Sequence, residues 1–170
     1  MPDGAGLERQ TPRLVAAREA LAYHDVQRVR LARDMTALEA WNAVMLEPMP
    51  LIGLAFRIRD AVSARFGVKR IGGFTGRQKT QVAEGDMLDF FRVEGVTDRE
   101  LVLTERDRHL DVMTTITTDP LAGGGCEMTI TSSVVTHNLF GRLYMIPVGL
   151  AHPVIVKRMM RVLSRKGVGA

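Results

Sequence analysis

DRHLDVMTTITTDPLAGGGCEMTITSSVVTHNLFGRLY, residues 107–144, is the stretch whose reading decides the fold. Leu110, Val112, Thr114 and Ile116 alternate with His109, Asp111, Met113, Thr115 and Thr117, the period-2 pattern of a β-branched strand. From Cys126 the alternation resumes, with Met128, Ile130, Ser132 and Val134 on one face and Thr129, Thr131, Ser133 and Val135 on the other. Asp119-Pro120 and Gly123-Gly124-Gly125 break the chain between them, and strands joined this closely must be antiparallel neighbours. Pairing Thr118 with Cys126 sets His109 opposite Val135, Asp111 opposite Ser133 and Asp107 opposite His137. That register gathers Asp107, His109, Asp111 and His137 on one face near one end of the hairpin, and a one-residue slip disperses them.

Working outward, residues 87–93 and 100–105 read as two further strands joined through Gly95 to Arg99. Downstream, Asn138 is placed to cap a helix running to about Lys166, bent by Pro153 and Pro147. Ile155, Val156, Met159, Met160 and Leu163 fall on one side of its last half, and Lys157, Arg158, Arg161 and Arg165 on the other.

Residues 1–22 read as a tail, in which Thr11-Pro12 announces a short helix over 13–21. Residues 23–32 form a first strand, with Val29 and Leu31 facing one way and Arg28 and Arg30 the other. His24 is read as a strand-end residue without a role. Thr36-Ala-Leu-Glu39 is a capping box, and the helix behind it aligns Leu38, Trp41 and Met45. Pro50 opens a second helix with Leu51, Leu54, Ala55, Ile58, Val62 and Phe66 in register, closed by Gly67. Residues 67–85 carry five glycines and four cations and read as a loop; they contain no phosphate-loop or dinucleotide fingerprint, so no cofactor is implied.

The composition excludes several classes. At 170 residues, 46% hydrophobic and 25% charged, the chain has the make-up of one soluble domain, here 23–166. A net charge of +4 with 5% aromatics lacks the stacking platforms of a nucleic-acid binder. The lone Cys126 cannot form an internal disulfide, which suits a reducing compartment, and its place in the alternation predicts burial without reactivity. The opening residues lack a signal-peptide core, and the apolar run 143–156 is too short to span a bilayer and holds two prolines and His152. The expectation is a cytoplasmic protein without stable membrane insertion.

The order strand, two short helices, antiparallel strands and one long helix defines an α+β fold, the helix covering the apolar face of the sheet. It resembles the helix-grip fold of START-like (SRPBCC) proteins, the superfamily of the birch-pollen allergen and aromatic polyketide cyclases. Residues 85–93, 100–112 with DRHLD, and 134–145 with THNLFGRLYM look like the bacterial domain-of-unknown-function family 2867. The resemblance runs over roughly 23–165 and implies fold more than function, since the family carries no assigned reaction or ligand. Some of its members are fused to a dehydrogenase-like domain, which implies association with such a partner.

Asp107, His109, Asp111 and His137 are the catalytic candidates, because an imidazole oriented by a carboxylate is a common acid–base device. The simpler reading is a polar network tying the hairpin to the long helix, neutralised by Arg108 and Arg142, since no nucleophile stands beside them. Their spacing matches no zinc-ligand pattern, so no metal is expected. Arg108, Asn138, Arg142 and Tyr144 are candidates for contacting a ligand, with helix capping the simpler role for Asn138 and core packing for Tyr144. Three functions follow: a domain binding an apolar or amphipathic small molecule between sheet and helix, an enzyme using the acid–base cluster, or an interaction module docking through its basic helix. Ten methionines suit an adaptable lining and an ordinary core alike.

Overall fold

The structure, a computed structural model, describes residues 11–46 and 77–166. Six strands form one antiparallel sheet: β1 (Tyr23–Leu31), β2 (Met87–Leu88), β3 (Phe91–Val96), β4 (Glu100–Arg106), β5 (Leu110–Pro120) and β6 (Cys126–Thr136), in the order β1-β6-β5-β4-β3-β2. Helix α1 (Ala37–Met45) follows β1, and helix α2 (Leu139–Lys166) closes the described chain. This is the α+β arrangement expected. The second helix expected after β1 and most of the glycine-rich stretch fall outside the described residues; 77–86 is irregular.

The capping box forms as read: Thr36 Oγ1 accepts from the Glu39 N–H at 3.2 Å, and the Thr36 N–H donates to Glu39 Oε2 at 2.8 Å. That N–H, together with the Thr36 hydroxyl, which donates to Glu39 Oε2 at 3.1 Å, holds the Glu39 carboxyl below its ordinary range. The helix they open buries Leu38, Trp41 and Val44 against the sheet. Leu31, Phe91, Val93, Leu101, Leu103, Ile116, Cys126, Met128 and Ile130 form the facing wall, closed over by Val156, Met159 and Met160 of α2. Each large side chain there contributes about 1.5–3 kcal/mol through burial. Cys126 is fully buried, and burial raises its thiol pKa, so it is the inert small hydrophobe expected.

Three expectations are corrected. The hairpin pairs Pro120 with Cys126 and Thr118 with Met128, two residues away from the expected register. Asp119-Pro120 ends the strand instead of opening the turn, since a proline at a strand end forfeits no ladder bond inside the sheet. The turn is 121–125, closed by Leu121 N–H to Gly125 O at 3.0 Å, with Gly124 and Gly125 at positive φ. Because the slip is two and not one, every side chain keeps its predicted face while every cross-strand partner changes.

The helix expected over 13–21 forms only as a 3-10 turn, Arg18–Ala20. The chain before it crosses the outer face of the sheet: Val15 N–H donates to Ser133 Oγ at 3.0 Å, and Thr115 Oγ1 donates to Arg13 O at 2.8 Å. A row of sheet hydroxyls offers this backbone the hydrogen bonds that a helix would otherwise supply, so tertiary contacts override the local signal. The strand expected over 87–93 is likewise divided, at Asp89, whose φ is 57°. Beyond it β3 runs through Gly95 with a bulge between Val93 and Gly95.

Candidate functional site

The DRHLD segment is the tight turn between β4 and β5. Asp107 Oδ1 accepts from the backbone N–H groups of His109 at 2.6 Å and Leu110 at 3.0 Å, and Asp107 N–H donates to Leu110 O at 3.0 Å. An aspartate bonding its own following backbone builds an Asx turn. Asp107 is therefore committed to the turn and does not face His137, contrary to the expected register.

His109 is buried and belongs to a second group. Arg108 Nε donates to His109 Nε2 at 3.2 Å, and the other ring nitrogen, Nδ1, meets the Asn138 amide, 2.9 Å from its Nδ2 and 3.2 Å from its Oδ1. Asn138 Nδ2 donates to Arg108 O at 3.0 Å, while Oδ1 also accepts from Gly141 N–H at 3.0 Å, which makes Asn138 the cap of α2. The Phe140 ring packs on the imidazole, centroids 4.8 Å apart. A side chain on Gly141 would strike the His109 carbonyl, so only glycine lets the first turn of α2 sit on the β4–β5 turn. DRHLD and THNLFGRLYM thus contact one another, and their joint product is a docked helix.

The remaining pair lies on the outer face. His137 Nε2 is 3.1 Å from Asp111 Oδ1, on the diagonal left by the pairing of Asp111 with Val135. Arg106 reaches Asp111 at 3.4 Å and Glu94 at 2.9 Å, and Thr104 Oγ1 donates to Glu94 at 3.0 Å. Burial pushes the Glu94 carboxyl pKa up, but the hydrogen bonds from Arg106 and Thr104 outweigh it and hold the pKa low. The bulge aims Glu94 into this chain of charges. The four catalytic candidates therefore divide among a turn, a helix cap and an ion-pair chain, and do not converge on one reacting atom. Of the ligand candidates, Arg142 is exposed on α2, and Tyr144 is half-buried against Leu110, Val134 and Met145.

Sequence reading missed the group beneath α2. Tyr23, Asp25 and Gln27 share the inner face of β1 with Val29 and Leu31, as their pairing with Val134, Ser132 and Ile130 requires. Tyr23 Oη lies 3.2 Å from His152 Nδ1, and Asp25 Oδ2 lies 4.0 Å from the same nitrogen. Gln27 Nε2 donates to both Asp25 oxygens, at 3.1 and 3.2 Å. Gly149, against the Tyr23 ring, lets the helix approach. Burial, and then the charge of Asp25, push the Tyr23 phenol pKa up to about 12. Burial lowers that of His152 despite Asp25. Near neutrality the phenol therefore keeps its proton and faces an uncharged imidazole. Two signals were available: the alternation of β1 continued back to Tyr23, and a histidine inside an apolar helical run.

This polar group sits between two apolar clusters, the main core and a smaller one of Leu110, Val134 and Met145. An open cleft of about 680 Å³ lies elsewhere, at the Thr97–Asp98 turn beside Thr36, Leu38 and Val82, and contains none of the candidates. No cluster of three or more His, Cys, Asp or Glu arranged to hold a metal occurs among the described residues.

An antiparallel sheet covered by one long C-terminal helix, with a polar group held in the seam, is the class of domain defined here. The chain belongs to the family described as protein of unknown function, DUF2867, which it matches over residues 17–159. Among solved structures it is similar to an uncharacterised protein from Rhizobium leguminosarum, at 14% identity and a TM-score of 0.38, over 81% of this chain and 93% of that one. No curated protein matches it.

Proposed function

We propose that this chain binds an amphipathic small molecule in the seam between β1 and α2, in the manner of START-like helix-grip proteins. The observation that carries this reading is the Tyr23–His152–Asp25–Gln27 group, a few convergent polar side chains set between two apolar clusters. Polar groups inside a core are costly unless partnered, and a binding site is where that cost returns as specificity. Tyr23 and His152 would meet the polar end of the ligand, and Val112, Tyr144 and Val148 its apolar part. Native mass spectrometry of freshly purified chain, followed by melting with a panel of fatty acids and aromatic carboxylic acids, tests this. A co-purified mass or a ligand-dependent rise in melting temperature is expected, reduced in Tyr23→Phe and His152→Gln. No retained molecule and no shift across the panel would sink it, as would a shift indifferent to both substitutions.

The enzyme alternative moves to the same group, because Tyr23 and His152 are within hydrogen-bond reach with a carboxylate behind them. Following the panel for conversion by mass separates turnover from binding. Association with a dehydrogenase-like partner fits either reading, with a ligand passed between the two.

A further inference from the structure

The side of α2 turned away from the sheet carries Leu139, Leu143, Ile146, Leu150 and Val154, each between 56% and 74% exposed. Their spacing aligns them in one stripe about 22 Å long. Among the described residues these are five of the seven exposed large hydrophobics, so apolar exposure is concentrated on one helix face. The same line continues into Lys157 and Arg161, both exposed, with Arg165 beside it and Arg142 flanking the other end. Residues 139–166 contain no Asp or Glu.

By length and composition alone, Leu139–Arg165 passes for a membrane-crossing helix, with a mean hydropathy of 1.5 over its most apolar 18 residues, of which 11% are buried. The apolar run 143–156, too short by itself to span a bilayer, is only the middle of this helix. Its other side is nonetheless occupied by the sheet, through Met145, Val156, Met159 and Met160. A helix apolar on its outer face, flanked by cations without acids and packed on a sheet by its other side, has its apolar surface arranged to lie along a membrane interface.

We infer that the outer face of α2 docks on an anionic lipid surface, the aliphatic stripe entering the headgroup–acyl boundary and Lys157, Arg161 and Arg165 meeting lipid phosphates. Charge decides the occupant: a second copy of the helix brings only more cations, whereas an anionic bilayer offers negative charge and an apolar layer together. This inference is independent of the seam between β1 and α2.

Co-sedimentation of the full chain with phosphatidylcholine vesicles, pure or with phosphatidylglycerol at about three to one, tests it. Binding to the anionic vesicles only, weakening as salt is raised, is expected. Ile146→Ser with Leu150→Ser should weaken binding on the order of thirty-fold at an unchanged melting temperature, and Arg161→Glu on the order of ten-fold. Absence of binding to anionic vesicles overturns the inference, as does equal binding by the serine variant. A serine variant with a clearly lowered melting temperature also overturns it, because the stripe would then be covered by this chain. A concentration-dependent dimer abolished by the same substitutions would assign the face to a second copy instead.

Discussion

Asp111 and His137 meet on the outer face of the sheet beside Arg106, while His152 meets Tyr23 and Asp25 beneath the long helix. The two groups use the same chemistry, a histidine near an aspartate, in different surroundings. In the outer group the carboxylate shares a cation already bonded to Glu94, and the His137 side chain is 39% exposed. In the inner group burial depresses the imidazole pKa and raises that of the phenol. Ion-paired, solvent-side clusters are chiefly surface networks, whereas shifted and partly desolvated pairs are the ones that cluster at functional sites. Of the residues most suggestive in the sequence, Asp107 and His109 serve the turn and the helix cap while Asp111 and His137 join a surface ion-pair chain, and the shifted pair lies beneath the helix.

The comparison breaks first at Gly141. If the DRHLD turn is an anchor for α2, Gly141→Ala forces a methyl against the His109 carbonyl and should cost about 3 kcal/mol, read by chemical denaturation. Unaltered stability would show that the helix does not rest on that turn. Asn138→Ala comes next, since it removes the helix cap and the partners of His109 and the Arg108 carbonyl together; about 2 kcal/mol is expected in the same assay.

A smaller effect sharpens the inner side through pH. His152 is held below its ordinary 6.5, so below about that pH the unfolded chain takes up the proton before the folded one does. The stability linked to this imidazole is complete above 6.5 and declines as the pH falls beneath it. His24, lowered by burial and by Arg18, acts in the same direction. The lowered Glu94 and Glu39 carboxyls add their losses only below about their ordinary 4.5. His152→Gln should therefore flatten the melting-temperature profile between these limits without abolishing its slope. A profile unchanged by the substitution would remove His152 from the buried group.

The smallest effect belongs to the outer pair. A double-mutant cycle of Asp111→Asn and His137→Ala should give a coupling of about 0.5 kcal/mol, because both side chains keep solvent access. A coupling of several kcal/mol would erase the contrast between the two groups.

Much of the fold was legible in the residues themselves. Alternation in β5 and β6 placed every side chain on its correct face, and Thr36-Ala-Leu-Glu39 and Asn138 marked the starts of α1 and α2. Cys126 was readable as buried from its neighbours alone. Face and cap are local properties, carried by a period of two and by bonds spanning three residues.

What only the tertiary structure decided was which distant residues meet. A two-residue slip leaves the alternation untouched, so sequence alone could not choose between Asp107 and Asp111 as the partner of His137. Nor could it show Arg13 and Val15 bonded to the sheet hydroxyls, because that choice depends on Ser133 and Thr115, over a hundred positions away. The meeting of Tyr23 with His152 likewise spans 129 positions and rests on a helix packed along an edge strand. Contacts of that range are set by how whole elements bury their faces against one another, a property of the assembled core and not of any one segment.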